Sequence, residues 1–525
     1  MQGKSSFGGG RQLLVACDAM EWNLVHDWAR AGYLPTFRHL IEQGSRAILS
    51  TTAAQLPDTV WGSICTGCNP AKFEKYFYVQ YDPDTQGLRH VRDDAIRRPP
   101  FWDYLTKAGR KVCAVDIPKF PISSSINGCQ VTNWGAHATK TERTSSPASL
   151  MAQIDAKFGR HPVGDCDRLN LNPHAMRDLR QRILDGVRLH GKLFRWLMKE
   201  YEWDVFIAGI SAPHCIGHHF WRGCDPTHPE HGDGDSDGLA DSIRLVYQAI
   251  DREIGEMLEL AGPDTRCLVL AGHGMGPLRH ASWNLTEMLE LWGYGPNPAT
   301  RVPQRDGARE ARVNPWRLLK MKVPGSLQYA IKDRLPQRLQ DELLFRWYRG
   351  GRDWRGYRAF SIPNNDTVGA IRIGVKGRDR YGLVEPGAEY DRVCADIQHA
   401  LLELTDPVSG RPVVSRVTLS RDEFHGEFLN QLPDITVLWE TAFAWNSVYS
   451  PKFGTLHIRQ QDGRSGSHSA HGFLLMGGPG IPAGAVMSDC SVYDIAPTVL
   501  EHAGVPVPAD FDGRPVALPV GECNV

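Results

Sequence analysis

The residues best suited to chemistry in this 525-residue chain are histidines and carboxylates next to short apolar runs. Asp18 comes directly after LLVAC, and His273 follows LVLAG. His214 and His218 are four residues apart, so their imidazoles face the same way on a helix, and His468 precedes GFLLMGG. Imidazoles and carboxylates are ligands of Zn, Mn and Fe sites. We therefore predict that these side chains bind one or two divalent metal ions, with zinc preferred over manganese and iron.

Short leucine-rich or β-branched runs alternate with helical patterns along the chain. This order is typical of an α/β fold with a doubly wound, mostly parallel central sheet flanked by helices. The expected strands are Gln12–Cys17, Lys111–Asp116, Asp204–Gly209, Arg266–Ala271, Ile435–Trp439 and Phe473–Met476. The expected helices are Glu21–Arg30, Thr36–Gln43, Pro100–Ala108, Met176–Lys199, Ile243–Leu260 and Leu318–Arg334. Ligands collect at the carboxyl ends of strands in such sheets, so Asp18, His214 and His273 should meet at one edge.

A basic segment interrupts this order. Residues 301–360 contain 12 Arg and 3 Lys but only 6 acidic residues. We interpret residues 301–356 as a basic cap insertion in a core made of residues 11–300 and 357–520. Its residues Arg309, Arg312 and Arg317 are expected to bind an anionic substrate. A solvated excursion with no contact to substrate explains the composition equally well.

The overall composition excludes several classes of protein. Lys and Arg number 59 and Asp and Glu number 60, which excludes a globally basic nucleic-acid binder. No apolar stretch approaches the length of about 18 residues that a membrane-spanning helix needs, and the first residues do not resemble a secretory signal. Several of the 12 cysteines lie inside apolar runs, as expected for reduced thiols. We expect a cytoplasmic protein without a membrane or nucleic-acid partner.

Six segments resemble, in order, the motifs of the alkaline phosphatase superfamily, and specifically its type I phosphodiesterase/nucleotide pyrophosphatase-like branch. The segments are CDAMEWNLVHDWARAGYLPTFRHLIEQG, LPDTVWGSICTGCNP, ISAPHCIGHHFW, LAGHGMGP, GSHSAHGFLLMGGPGI and DIAPTVLEHAGVPVPADFDGRPV. They run from about residue 11 to residue 518 and leave residues 301–360 uncovered. Six motifs in the family's order are far more specific than any one of them alone.

The resemblance implies a hydrolase of phosphate or sulfate esters with an alkaline phosphatase-like fold. Two cations would clamp the attacking and leaving oxygens, and a Ser or Thr would attack to form a covalent intermediate. Carried over to this chain, one ion would be bound by Asp18, His273 and the nucleophile. The other ion would be bound by His214, His218 and His468.

Three positions depart from the family's pattern. Gly272 stands where the family has an aspartate, and His214 replaces a second aspartate. The nucleophile position, nine residues before the Thr-Gly signature, is Pro57, which has no hydroxyl. Asp58 and Thr59 follow it at the expected start of a helix, where either residue could simply cap the helix. We expect Thr59 and Asp58 to be the catalytic residues, with Thr59 as the nucleophile and a metal ligand. Either Asp58 is a replacement ligand, or the second ion is weakly held, or an anionic substrate completes the site.

Three hypotheses follow for the function. The first is a metal-dependent hydrolase or transferase of a phosphate or sulfate ester of a small anionic metabolite. The second is a mononuclear three-histidine enzyme that uses a metal hydroxide or, with iron, performs non-hydrolytic chemistry. The third is a non-catalytic descendant that binds an anion. His214 favours the first two, because it replaces one competent ligand with another.

Overall fold

The short apolar runs of the sequence form a central nine-stranded sheet. The computed structural model describes residues 10–518 except 93–94, 136–141, 165, 167–170, 227, 229–230, 232–237, 279–280, 297–308, 311–333, 366, 459–462 and 489. Within these residues the strands lie in the order Cys490–Ser491, Ser45–Ser50, Gly472–Gly477, Arg266–Ala271, Gln12–Cys17, Val205–Ile210, Val112–Val115, Gly128–Thr132 and Thr144–Ser146. Five of the eight neighbouring pairs are parallel.

Both faces of this sheet are buried. Along Gln12–Cys17, successive side chains point to opposite faces, as the period of two of a strand requires. Leu13 and Val15 pack into one hydrophobic core, and Leu14 and Ala16 pack into a second core. A sheet buried on both sides explains why its strands are continuous apolar runs and not alternating ones.

Helices cover both faces, which confirms the predicted doubly wound α/β fold. Pro173–Glu200 and Ser242–Ala261 contribute to the first core, whereas Phe101–Lys107 and Ile495–His502 contribute to the second. The other helices in the described residues are Trp22–Arg30, Pro35–Gln43, Val60–Thr66, Leu150–Phe158, Ala212–Cys224, Leu285–Leu291, Gln337–Tyr348, Ala388–Leu402 and Ser420–Glu423.

The predicted strand Ile435–Trp439 forms with the expected bounds, but its place in the central sheet was wrong. It belongs to an antiparallel sheet with the strands Ala359–Ser361, Val368–Ile373 and Val414–Leu419. A buried apolar run shows that a strand is buried, but not which sheet it joins. Among the described residues there are three smaller sheets: Val79–Asp82 with Gly87–His90, Gly274–Pro277 with Gly466–Ser469, and Arg309–Glu310 with Gly454–His457 and Ser447–Ser450.

The described parts of the basic segment contact the rest of the molecule. Its strand Arg309–Glu310 pairs with Gly454–His457, and its residue Trp354 is buried in a core that includes Tyr81 and Phe360. The predicted helix Leu318–Arg334 lies outside the described residues, apart from Arg334. The division into a core and a cap insertion therefore stays a prediction. In the described part of the chain, no helix is both long and apolar enough to cross a membrane.

Candidate metal centre

Four buried histidines contact one another at the carboxyl edge of the central sheet. The ring centroids of His214 and His218 are 4.5 Å apart, and that of His468 lies 5.0 Å from the first and 5.2 Å from the second. His273 joins the group through a centroid distance of 4.4 Å to His468. One donor atom from each of His214, His218 and His468 lies within 4.8 Å of the other two. The structure thus places the four predicted imidazole ligands together.

Close backbone packing orients His218. A Cβ atom added to Gly466 would lie 2.2 Å from the carbonyl oxygen of Gly217. The strand Gly466–Ser469 can therefore approach the helix Ala212–Cys224 this closely only because Gly466 has no side chain. Nδ1 of His218 donates a hydrogen bond of 2.8 Å to the Gly466 carbonyl. This bond fixes the proton on Nδ1 and leaves the Nε2 lone pair of the neutral ring for a metal ion.

Nε2 of His218 lies 3.3 Å from Nε2 of His214. Two nitrogen ligands on one tetrahedral zinc ion, with bonds of about 2.0–2.1 Å, are about 3.3–3.4 Å apart. The helix therefore presents the two nitrogens at the spacing that a shared ion requires. One helical turn separates the two residues, which is the physical basis of the spacing that the sequence showed.

His468 reaches the centre from the strand Gly466–Ser469, which pairs with the strand that follows His273. Its Nδ1 atom lies 3.3 Å from the amide nitrogen of Asn365. Its Nε2 atom is buried and has no hydrogen-bond partner among the described residues. A buried polar atom without a partner is costly unless something binds it, so the ring fits a metal-binding role.

Asp18 follows the central strand Gln12–Cys17, and its carboxylate is held in one direction. Its backbone N–H donates to the carbonyl of Ile210, and Oδ1 accepts a 3.0 Å hydrogen bond from the indole Nε1 of Trp61. Both residues are buried. Such an oriented carboxylate is typical of a metal ligand supported by a neighbouring donor.

Asp58 lies in the short 3₁₀ turn Pro57–Thr59 and forms a salt bridge with Lys119. Burial raises the pKa of this carboxyl, but the positive charges of Lys119 and Lys75 outweigh it, so the pKa is lower than usual. Asp58 is therefore ionised at neutral pH, and it interacts electrostatically with His273. It brings a negative charge close to the histidines.

Lys119 is a residue of this site that the sequence argument missed. It follows the strand Val112–Val115 by four positions, and its backbone φ of 64° is in the left-handed region. Asp116, after the same strand, also has a positive φ of 53°, and its carboxylate accepts bonds from the N–H groups of Trp134 and Gly135. The signal that could have found Lys119 is its position after a strand end, as for Asp18 and His273.

The hydroxyl of Thr59 points away from solvent. Its Oγ1 atom lies 2.7 Å from the carbonyl oxygen of Leu56 and 2.9 Å from Oγ1 of Thr52. The side chain is only 1% exposed. In this conformation the hydroxyl is used by its own turn, so attack on a substrate would require rotation about χ1 and loss of both contacts.

The structure explains the missing aspartate at Gly272. A Cβ atom there would lie 2.4 Å from Cγ1 of Val60 and 2.6 Å from Cδ1 of Ile64. The helix Val60–Thr66 therefore packs directly on the backbone of Gly272, and no carboxylate fits at that position. Asp58, just before this helix, supplies a negative charge near His273 in its place.

Burial keeps two of the histidines neutral. It lowers the pKa of His273 to about 4, although the negative charges of Asp18 and Asp58 act in the opposite direction. It also lowers the pKa of His468 well below its usual value, and His273 and His218 lower it further. Neutral rings keep the lone pair that binds a metal ion.

A second group of donors adjoins the centre. Atoms of Cys166, His214 and Cys215 also lie within 4.8 Å of one another, and all three side chains are buried. His214 thus belongs to both groups. The three predicted substrate-binding arginines are not brought together by the structure: Arg309 forms a backbone pair with Leu456, and Arg312 and Arg317 lie outside the described residues.

Comparisons with known proteins agree with the predicted family. The family model described as type I phosphodiesterase / nucleotide pyrophosphatase matches residues 12–473. Arylsulfatase K of Homo sapiens is 36% identical over 96 residues, and this match spans only 18% of the chain and 17% of that relative.

Two solved structures are similar along most of their length. Murine ectonucleotide pyrophosphatase/phosphodiesterase 5, in an inactive form in complex with AMP, has 12% identity and a TM-score of 0.45, over 95% of this chain and 96% of that chain. Phosphonoacetate hydrolase from Sinorhizobium meliloti, in complex with phosphonoformate, has 15% identity and a TM-score of 0.48, over 95% and 97%. The family match itself covers most of the chain and includes every metal-ligand position predicted from the sequence. The chain therefore belongs to the type I phosphodiesterase / nucleotide pyrophosphatase family of phosphoesterase-like hydrolases.

Proposed function

We propose that the protein is a metal-dependent hydrolase, or transferase, of a phosphate or sulfate ester of a small anionic metabolite. The observation that carries the proposal is the contact among His214, His218, His273 and His468, all buried, at the end of the sheet where Asp18 also lies. Buried groups of this kind are costly in a protein that does not use them. Membership of a phosphodiesterase family supports the ester as substrate.

The donor set fits two divalent ions. We propose that His214, His218 and His468 bind one ion, and that Asp18, Asp58 and His273 bind the other, with Thr59 as a further ligand in the reacting state. Bound there, the ions would polarise the phosphoryl or sulfuryl oxygens of the ester. Three imidazoles favour zinc, and manganese or iron would also accept this set.

The protein's own charges favour an anionic substrate. Lys119 interacts electrostatically with Asp58, His273 and His468, so it brings a positive charge to the centre itself. We propose that Lys119 helps to hold the ester, and that Arg309 and the arginines near it in sequence face the substrate from the cap.

We propose Thr59 as the nucleophile. Its position beside Asp58, at the start of the helix Val60–Thr66, supports this role, because that helix packs on Gly272, the residue before His273. The hydroxyl must first leave the Leu56 carbonyl. Its proton must then pass to a base, and Asp58, kept ionised by Lys119, is the nearest residue in sequence that could accept it.

The contacts that hold the Thr59 hydroxyl in its own turn support a second candidate function. If Thr59 stays bound to Leu56 and Thr52, the three-histidine group alone could direct a water-derived nucleophile at the ester, or perform non-hydrolytic chemistry with iron. This candidate needs one metal ion per chain, whereas the first needs two. Metal content therefore separates them.

We also propose that the protein acts in a reducing compartment such as the cytoplasm. Eleven cysteines are described, none of them is in a disulfide, and ten of them are buried. Buried free thiols behave as small apolar groups and are typical of such a compartment.

The test combines metal analysis with a substrate panel. The protein is purified without added metal, and its metal content is measured by mass spectrometry. Hydrolysis of bis(p-nitrophenyl) phosphate, p-nitrophenyl phosphate and p-nitrophenyl sulfate is then followed before and after chelation and after readdition of zinc, manganese or iron. We expect about two ions per chain and ester hydrolysis that chelation abolishes and metal restores. Full activity in protein shown to be metal-free would refute the proposal.

A further inference from the structure

A buried carboxylate contacts the two short strands that lie beside His273 and His468. It belongs to Glu21, which follows Asp18 by three positions and precedes the helix Trp22–Arg30. The residue is only 5% exposed, and the proposed metal chemistry assigns it no role. A carboxylate is costly to bury unless several donors replace its contacts with water. The groups that donate to Glu21 therefore indicate what its side chain does.

One oxygen of this carboxylate contacts both strands at once. Oε2 of Glu21 accepts a hydrogen bond of 3.1 Å from the backbone N–H of Met275 and one of 2.9 Å from the hydroxyl of Ser469. Met275 lies two residues after His273 and is the register partner of His468. Ser469 comes directly after His468. The two segments that carry these histidines are thus joined through a single oxygen atom.

The backbone of the sheet leaves room for this oxygen. A Cβ atom added to Gly274 would lie 2.1 Å from Oε2 of Glu21 and 2.6 Å from Oγ of Ser469. Gly274 pairs with Ser469 in the antiparallel register of the two strands. A side chain at position 274 would therefore displace the carboxylate, and the glycine that follows His273 keeps that space open.

A local role as a helix cap explains only the other oxygen. Oε1 of Glu21 lies 3.3 Å from the backbone nitrogen of Asn23 and 3.1 Å from its side-chain nitrogen Nδ2, and it accepts from both. These contacts cap the helix Trp22–Arg30. The two residues bound by Oε2 are 254 and 448 positions away in sequence and take no part in the cap. The contacts of Oε2 therefore need a separate explanation.

The backbone of Glu21 is fixed independently of the two strands. Its N–H group donates a hydrogen bond of 2.9 Å to the hydroxyl of Tyr247, a buried residue of the helix Ser242–Ala261. Its carbonyl accepts a bond of 3.1 Å from the N–H of Val25. The carboxylate thus extends from a firm support, as a group that orients metal ligands must.

We propose that Glu21 is a positioning residue of the metal centre and holds the strands beside His273 and His468 at a fixed separation. This inference rests on the proposed function, in which the two imidazoles bind different ions. Their ring centroids are 4.4 Å apart. Glu21 therefore fixes the relation between the two sets of ligands before any ion binds. Groups that orient metal ligands from outside typically contribute about 10- to 100-fold to metal affinity.

The experiment compares variants that alter one oxygen of the carboxylate at a time, in the full-length protein. Ser469→Ala removes a side-chain donor of Oε2, and Asn23→Ala, the matched control, removes a side-chain donor of Oε1. Glu21→Gln replaces one oxygen with an amide group, which cannot accept a hydrogen bond. Zinc affinity is measured by competition with a chromophoric chelator. The visible absorption spectrum of the protein loaded with cobalt reports the geometry of the ligands.

We expect Ser469→Ala and Glu21→Gln to bind zinc about tenfold or more weakly than the wild type and to show altered cobalt spectra. Asn23→Ala should bind zinc within about twofold of the wild type and keep its spectrum. A purely structural role would lower the unfolding temperature but leave the zinc affinity and cobalt spectrum of the folded protein unchanged. If Glu21→Gln does not fold, Ser469→Ala decides the question, because it keeps the carboxylate and the helix cap.

Two results would overturn the proposal. One is a folded Ser469→Ala protein with the zinc affinity and cobalt spectrum of the wild type, and the other is an equal loss in Ser469→Ala and Asn23→Ala. If the wild type itself binds no zinc, the proposed function fails and this inference fails with it. If the wild type and all three variants bind about two ions equally well, only the role of Glu21 is refuted.

Discussion

The Nε2 atoms of His214 and His218 lie 3.3 Å apart on successive turns of one helix. The nitrogen ligands of one zinc ion have about the same separation. In the proposed metal centre, the replacement of the family's aspartate by His214 would remove a negative charge but not a ligand position. The loss of charge is offset elsewhere, because Asp58 comes close to His273.

The first prediction concerns metal content. His218→Asn should lose about one equivalent of bound metal, because the Nε2 lone pair is removed from the three-histidine group. The matched control is His219→Gln on the same helix. Nε2 of His219 donates a hydrogen bond to the carbonyl of Cys166, so this nitrogen carries a proton and has no lone pair for a metal ion. Mass spectrometry of the purified variants gives the metal content. Equal content in the two variants would exclude His218 as a ligand.

The second prediction concerns Lys119. Lys119→Ala should lower kcat/KM for an anionic ester by about tenfold or more, because a positive charge is lost and the Asp58 carboxylate is left without its partner. Lys107→Ala removes an exposed lysine and should have no effect. Steady-state kinetics with the best ester of the panel provides the measurement. If both variants keep the wild-type value, Lys119 has no role in substrate binding or turnover.

The third prediction separates the two candidate functions through Thr59. Thr59→Ala should lower kcat by at least about a thousandfold if this hydroxyl is the nucleophile. Thr52→Ala serves as the control, because it removes the 2.9 Å contact to Thr59 but no attacking group. If Thr59→Ala keeps the wild-type turnover with metal still bound, Thr59 is not the nucleophile. The second candidate function, with its water-derived nucleophile, would then remain.

The fourth prediction concerns stability and pH. Burial lowers the pKa of His502 to about 4, and the charge of Arg266 lowers it further. In the unfolded chain this group binds a proton below about pH 6.5. Stability is therefore complete above that pH and falls as the pH drops towards 4, because only the unfolded state takes up the proton in this window.

His502 should accordingly account for about 2 kcal/mol of the loss in unfolding free energy between pH 7 and pH 5. In His502→Gln, the loss of unfolding free energy between pH 7 and pH 5 should be smaller than in the wild type by about 2 kcal/mol. The control is His39→Gln, since His39 is exposed. The measurement is urea unfolding at both pH values. Parallel stability curves for wild type and His502→Gln would contradict this explanation.

Much of the fold follows from local patterns. The strands Gln12–Cys17 and Arg266–Ala271 have the predicted bounds, because fully buried strands are unbroken apolar runs bounded by polar residues. The sheet to which Ile435–Trp439 belongs could not be predicted. Strand pairing is a long-range property, and the same buried run fits either sheet.

The histidines of the site were predictable for a similar local reason. His214 and His218 share a helix, and His273 directly follows a strand of the central sheet. The salt bridge between Lys119 and Asp58 was not predictable, because it joins residues 61 positions apart through a left-handed turn. The packing of Val60 on Gly272 is likewise a tertiary contact without a sequence pattern.

The most direct test of the central claim is a crystal structure of the protein loaded with zinc, with the ions located by anomalous scattering. We predict one ion within about 2.0–2.3 Å of ring nitrogens of His214, His218 and His468, and a second beside Asp18 and His273. A structure in which zinc binds only elsewhere, with these four imidazoles and Asp18 free of metal, would contradict the account.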